Sequence, residues 1–119
     1  TRGMIGAGEL SLMQPGAILV NVARGPVVDE AALIEALRTG AIGGAVIDVF
    51  DRQPLPADHA LLSLDNVILT PHMAGITEES MLRMGQGVVM ETRRILAGDK
   101  PVNFCNPAVW ETYRARFGL

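Results

Sequence analysis

Ala17-Ile18-Leu19-Val20-Asn21-Val22-Ala23 decides the fold class. Apolar residues fill both alternating faces of this run, and only Asn21 interrupts them. A strand able to bury both faces belongs in a parallel sheet covered by helices. Pro15-Gly16 marks a turn before it, and Arg24-Gly25-Pro26 ends it. Upstream, residues 7–14 read as a short helix. Downstream, Asp29 suits the N-cap of a helix over 30–39 whose apolar stripe is Ala32, Leu33, Ala36 and Leu37, with Gly40 just past its end. A second two-sided apolar run follows, Gly44-Ala45-Val46-Ile47-Asp48-Val49-Phe50. Strand, helix and strand make a βαβ unit, for which a right-handed crossover is nearly obligatory.

Residues 51–65 read as a loop carrying Gln53-Pro54 and Leu55-Pro56, with a helical turn over 59–64. His59 reads as a plain loop residue. A third apolar run, Val67-Ile68-Leu69-Thr70, stops at Pro71-His72. Thr77 then caps a long helix to about Ala97, with Met81, Met84, Val88, Thr92 and Ile95 along one face. Gly98 and Pro101 end it. Gly85 and Gly87 weaken such a helix unless a neighbour packs closely there, which is the expectation. From Val102 onward the pattern is poor, and Trp110 and Tyr113 are the residues suited to pin the tail.

The 119 residues suit one domain, and 49% hydrophobic against 19% charged residues implies a packed α/β core rather than a disordered chain. A net charge of −3 without any basic stripe argues against a nucleic-acid partner. No apolar run approaches a membrane span, so no membrane partner is expected either. The opening Thr1-Arg2-Gly3-Met4 is unlike a secretion signal and reads as the middle of a longer protein, expected to be cytoplasmic. A single cysteine, Cys105, excludes an internal disulfide and reads as a buried or indifferent thiol.

Arg24 follows the first strand, Asp48 lies near the end of the second, and His72 follows the third. Carboxyl ends of parallel strands share one edge, where open α/β folds bind ligands. Periodicity alone therefore gathers a cation, an anion and a titratable base in one small volume. A carboxylate in an apolar strand needs a partner or a function, because burying it alone is costly. Met73-Ala74-Gly75 after the histidine are small or apolar and permit close backbone approach to a ligand.

Residues 15–25, Val28-Asp29-Glu30-Ala31-Ala32-Leu33, Asp48-Val49-Phe50 and Thr70-Pro71-His72-Met73-Ala74-Gly75 closely resemble the NAD-dependent D-isomer-specific 2-hydroxyacid dehydrogenases. The resemblance runs in order from Thr1 to about Val102. It implies the C-terminal half of a Rossmann-type doubly wound parallel sheet over residues 1–76. Residues 77–119 would then be a returning helix and tail toward a substrate domain. The Gly-rich phosphate loop would lie upstream; Gly3 to Gly8 is no match, since no strand precedes it. Arg24 would grip the substrate carboxylate with a bidentate fork. His72 would exchange a proton with the keto oxygen as hydride reaches C2. Asp48 would accept a hydrogen bond from the nicotinamide carboxamide, with Val22, Ala23, Arg24, His72, Met73, Ala74 and Gly75 lining that pocket. The expected cofactor is NAD, with NADP open. The substrate would be a small 2-oxo or 2-hydroxy acid, and the whole enzyme a homodimer.

One departure stands out. Most of the family carries Glu before the proline of the 51–65 loop, paired with the histidine, and here the place is held by Gln53. A carboxylate favours the imidazolium, and an amide stabilises it less. Gln53 orienting His72 is the expected pairing. An NAD(H)-sensing protein without turnover, like the family's corepressor relatives, is the alternative, and a 119-residue portion by itself is expected to be inactive.

Overall fold

The computed structural model describes residues 1–118. Its strands are β1 (Ile18–Asn21), β2 (Gly44–Ile47) and β3 (Val67–Leu69), and its helices are α1 (Ala7–Ser11), α2 (Glu30–Arg38), α3 (Glu78–Leu96) and α4 (Trp110–Phe117). The strands form one parallel sheet in the order β1-β2-β3. Register pairs Asn21 with Ile47 and Ile47 with Leu69, so all three strands end level. The parallel α/β class read from the apolar runs is what the chain adopts.

Asp29 starts α2 by accepting a hydrogen bond from Ala32 N at 3.1 Å. Gly40 leaves the helix at φ 71°, a left-handed conformation that suits glycine. Between those ends α2 turns Leu33, Ala36 and Leu37 inward, where they join Leu10, Ile42, Ala45, Ile47 and Leu61 in the core. Leu33 and Leu37 are almost fully enclosed, and each such side chain stabilises the fold by roughly 1.5–3 kcal/mol. The alternate residues Ile18, Val20 and Ile68 stay more than half exposed, so β1 and β3 bury one face where the sequence pattern implied two. Only β2 is enclosed along its length.

The chain divides into two compact units, Thr1–Gly75 and Ile76–Leu119. In the second, Thr77 caps α3 through a reciprocal pair of bonds with Ser80. The expected close packing at Gly85 and Gly87 is not found: a Cβ at either would meet open space, and α3 buries none of its residues. The tail is more ordered than its pattern suggested. Trp110, Tyr113 and Phe117 fall at helical spacing on α4, and Trp110 sits edge-on to Phe104 at 5.9 Å and stacked on Tyr113 at 5.8 Å. Cys105 is exposed, not buried. No helix among the described residues is long and apolar enough to cross a membrane.

Candidate active site

Three loops leave the common edge of the sheet, and side chains from the strand ends shape each of them. The first follows β1. Asn21 is buried in its apolar strand because both ends of its amide are used: Oδ1 accepts from Ala23 N at 3.1 Å, and Nδ2 donates to the Arg24 carbonyl at 3.1 Å. A single side chain thus sets the turn that presents Arg24. The Arg24 guanidinium is exposed and spends one donor on the Ala23 carbonyl at 2.6 Å. Its remaining donors are available to a planar anion. Sequence reading missed Asn21 as a positioning residue, although a lone Asn in an apolar strand was the signal.

Gly25 ties this loop to the second one. A Cβ there would lie 2.1 Å from both C and O of Phe50 and 2.5 Å from Asp51 N, so the two backbones approach as closely as only glycine permits. Asp48 begins the second loop, donating its backbone N–H to the Asn21 carbonyl at 3.0 Å. Its carboxylate is only 1% exposed, yet it has three donors. Oδ1 accepts from the Thr70 hydroxyl and from Met73 N at 2.8 Å, and Oδ2 accepts from Ala74 N at 2.9 Å. The Thr70 bond is the largest influence holding its carboxyl below the ordinary carboxylate range, against the opposing effect of burial; the Ala74 and Met73 amides and the His72 charge add to the lowering.

The third loop carries His72 at φ 60°, the one non-glycine residue in the left-handed region among those described. An L residue there costs roughly 1–2 kcal/mol. Asp48 offsets the cost by capturing the next two backbone N–H groups, which fixes the direction in which the imidazole leaves the chain. His72, Gln53, Phe50, Pro54, Leu55 and Pro71 line one pocket of about 280 Å³. Gln53 and His72 share its wall, with no hydrogen bond between them. Val22, Ala23, Met73, Ala74 and Gly75 are exposed at the same edge.

His59 is not the plain loop residue the sequence suggested. Its Nδ1 accepts from Leu61 N at 3.3 Å, capping a short 3-10 turn over Ala60–Ser63, and its Nε2 meets Glu30 Oε1 at 3.0 Å. Nothing in the spacing of two residues that far apart announces that contact. No cluster of potential metal ligands occurs among the described residues.

The level strand ends bring Arg24, Asp48 and His72 to one edge of a parallel α/β sheet. Residues 1–74 match the D-isomer specific 2-hydroxyacid dehydrogenase family, NAD binding domain, and the chain belongs to that family. It is 46% identical over 109 residues to a glyoxylate/hydroxypyruvate reductase B of Enterobacter agglomerans, covering 92% of this chain and 34% of that protein. A D-isomer specific 2-hydroxyacid dehydrogenase of Xanthobacter autotrophicus Py2, solved with NADPH and MES, superposes with a TM-score of 0.77 at 45% identity, over 92% of this chain and 45% of that one. A D-lactate dehydrogenase of Lactobacillus jensenii, solved with NAD+, also gives 0.77, at 35% identity over 86% of this chain and 34% of that one. The chain therefore spans about a third of the length of the curated relative. Its fold is the Rossmann-type α/β fold of these dehydrogenases.

The nicotinamide end of such a cofactor suits the groups present. Half-exposed Val22 and Met73 offer apolar surface at this edge, and Gly75 has open space beside its Cα. Gly6 leads into α1, which is only five residues long, and Ile5 before it makes a single parallel bridge to Val28.

Proposed function

We propose that this chain is the catalytic-edge portion of a nicotinamide-dependent oxidoreductase that interconverts a small 2-oxo acid and its D-2-hydroxy acid. The observation that carries the reading is His72 held at φ 60° while the next two amides are gathered onto the buried Asp48 carboxylate. Backbone strain that is locked by surrounding bonds marks a group whose direction matters.

In this reading Arg24 receives the substrate carboxylate through two parallel N–H···O bonds and leans on the adjacent keto oxygen. His72 donates a proton to that oxygen during reduction and takes it back from the hydroxyl during oxidation. Gln53 lines the same wall as His72 without bonding to it, and in this reading its amide turns to orient the imidazole once cofactor and substrate are in place. Asp48 holds the His72 loop and, in this reading, accepts a hydrogen bond from the carboxamide. Val22, Ala23, Met73, Ala74 and Gly75 border the ring. The bound nicotinamide supplies or accepts the hydride at C2; NAD is the cofactor proposed, and complexes of relatives with NADPH and with NAD+ keep NADP as its alternative. The exposed apolar rows Ile18, Val20 and Ile68, and Met81, Met84 and Val88, support a larger enzyme around this chain, proposed to be a homodimer.

Oxidation of NADH and NADPH by the enzyme that carries this chain, with glyoxylate, hydroxypyruvate and pyruvate, tests the proposal. Turnover with at least one acid and a D-configured product from prochiral substrates is expected. Tight NADH binding without turnover on any of them would replace the proposal by the sensing reading.

A further inference from the structure

Glu30 lies in the first turn of α2, outside the three loops, yet its carboxylate reaches both ends of the segment 51–59. Oε2 accepts from Asp51 N at 3.5 Å, and Oε1 faces His59 Nε2 at 3.0 Å. Both side chains are about four-fifths enclosed, at 24% and 19% exposure, so water competes weakly for the contact. The tautomer follows from the other ring nitrogen. Nδ1 accepts from Leu61 N, so Nε2 carries the hydrogen and donates it to Glu30. One carboxylate thereby closes a loop whose middle, Gln53-Pro54-Leu55, forms the wall facing Pro71 and His72. Gly25 presses on the same segment at Phe50 and Asp51.

We infer that Glu30 and His59 form a strap that positions Gln53 against His72, and that both are positioning residues for the reaction. The inference rests on the proposed dehydrogenase reading. The strap touches no substrate. It fixes where the 51–59 loop can place the Gln53 amide, and misplacement of a catalytic contact by about 1 Å costs up to about 10²-fold in rate.

The two functions of His59 separate by substitution. In His59→Asn the shorter amide still accepts from Leu61 N, as Asn does at caps, but cannot reach Glu30. Glu30→Ala breaks the strap from the other side, and Glu30→Gln keeps an acceptor for the His59 Nε2–H. In the enzyme that carries this chain, His59→Asn and Glu30→Ala should each lower kcat about 10-fold. KM for NADH should stay within about twofold, and Glu30→Gln should restore most of the rate. In a Gln53→Ala background, His59→Asn should add almost no further loss, because both act through one contact. Wild-type kcat in both His59→Asn and Glu30→Ala would overturn the strap, and so would an undiminished His59→Asn effect in the Gln53→Ala background. A wild-type enzyme inert toward every 2-oxo acid would instead overturn the dehydrogenase reading beneath it.

Discussion

Replacing Gly25 by alanine adds one methyl group at the place where the Arg24 loop and the Asp51 loop meet. Gly25 has no left-handed φ to lose, so the effect is purely steric. The new Cβ would lie 2.1 Å from the Phe50 carbonyl carbon and oxygen. Carbon contacts settle near about 3.5 Å, so the two backbones must part by about 1.4 Å. Neither yields freely. Asn21 holds the carbonyl of Arg24 and the amide of Ala23, and Glu30 accepts from Asp51 N. Overpacking of this kind costs about 1–3 kcal/mol, read as a fall of several degrees in Tm. A shift above 1 Å between Arg24 and the Gln53 wall should lower kcat/KM by about 10²-fold. Thermal melting and steady-state NADH oxidation measure both on the same preparation. Gly8→Ala is the control, since its Cβ meets nothing within 4 Å and it lies in α1. Wild-type Tm and kcat/KM in Gly25→Ala would refute the argument that this contact sets the spacing of the loops.

Thr70→Val removes the leading cause of the lowered Asp48 carboxyl and should bring its titration back toward 3.8. A carboxyl whose folded pKa is depressed contributes stability that is present above its unfolded value and lost as pH falls through the folded one. The wild type should therefore lose stability below about pH 4, and Thr70→Val should lose less there while being less stable at neutral pH; acid-titration melts decide it. Gln53→Glu should move the limb of the pH–rate profile that reports the acid/base group upward, because a carboxylate favours the imidazolium; an unchanged profile contradicts the pairing. Arg24→Lys keeps the charge but loses the planar fork, so KM for the 2-oxo acid should rise about tenfold or more while NADH affinity holds.

What the sequence made legible follows from periodicity and from strong local signals. Two-sided apolar runs announced a parallel sheet, Asp29 and Thr77 announced their helices, and level strand ends brought Arg24, Asp48 and His72 to one edge. What stayed hidden depends on contacts between distant residues or on backbone geometry. The partners of Asp48 are donors of the next loop, two of them main-chain amides, which no side-chain pattern reveals. Glu30 and His59 meet only once α2 packs on the sheet. The helix at Trp110–Phe117 was missed, because its sparse apolar content hid the helical period of Trp110, Tyr113 and Phe117. The open face at Ile18 and Val20 shows the reverse case, in which the pattern specifies burial that this chain by itself does not provide.

In the proposed reaction His72 carries the proton, and its φ of 60° serves that role. His72→Asn isolates it, because Asn tolerates the left-handed conformation and leaves the Asp48 clamp intact. Turnover and NADH binding, the latter by fluorescence, should be measured together on the variant. A fall in kcat of about 10²–10⁴-fold is expected, with Tm unchanged and NADH affinity within a few-fold. His72→Asn turning over at the wild-type rate would contradict that role.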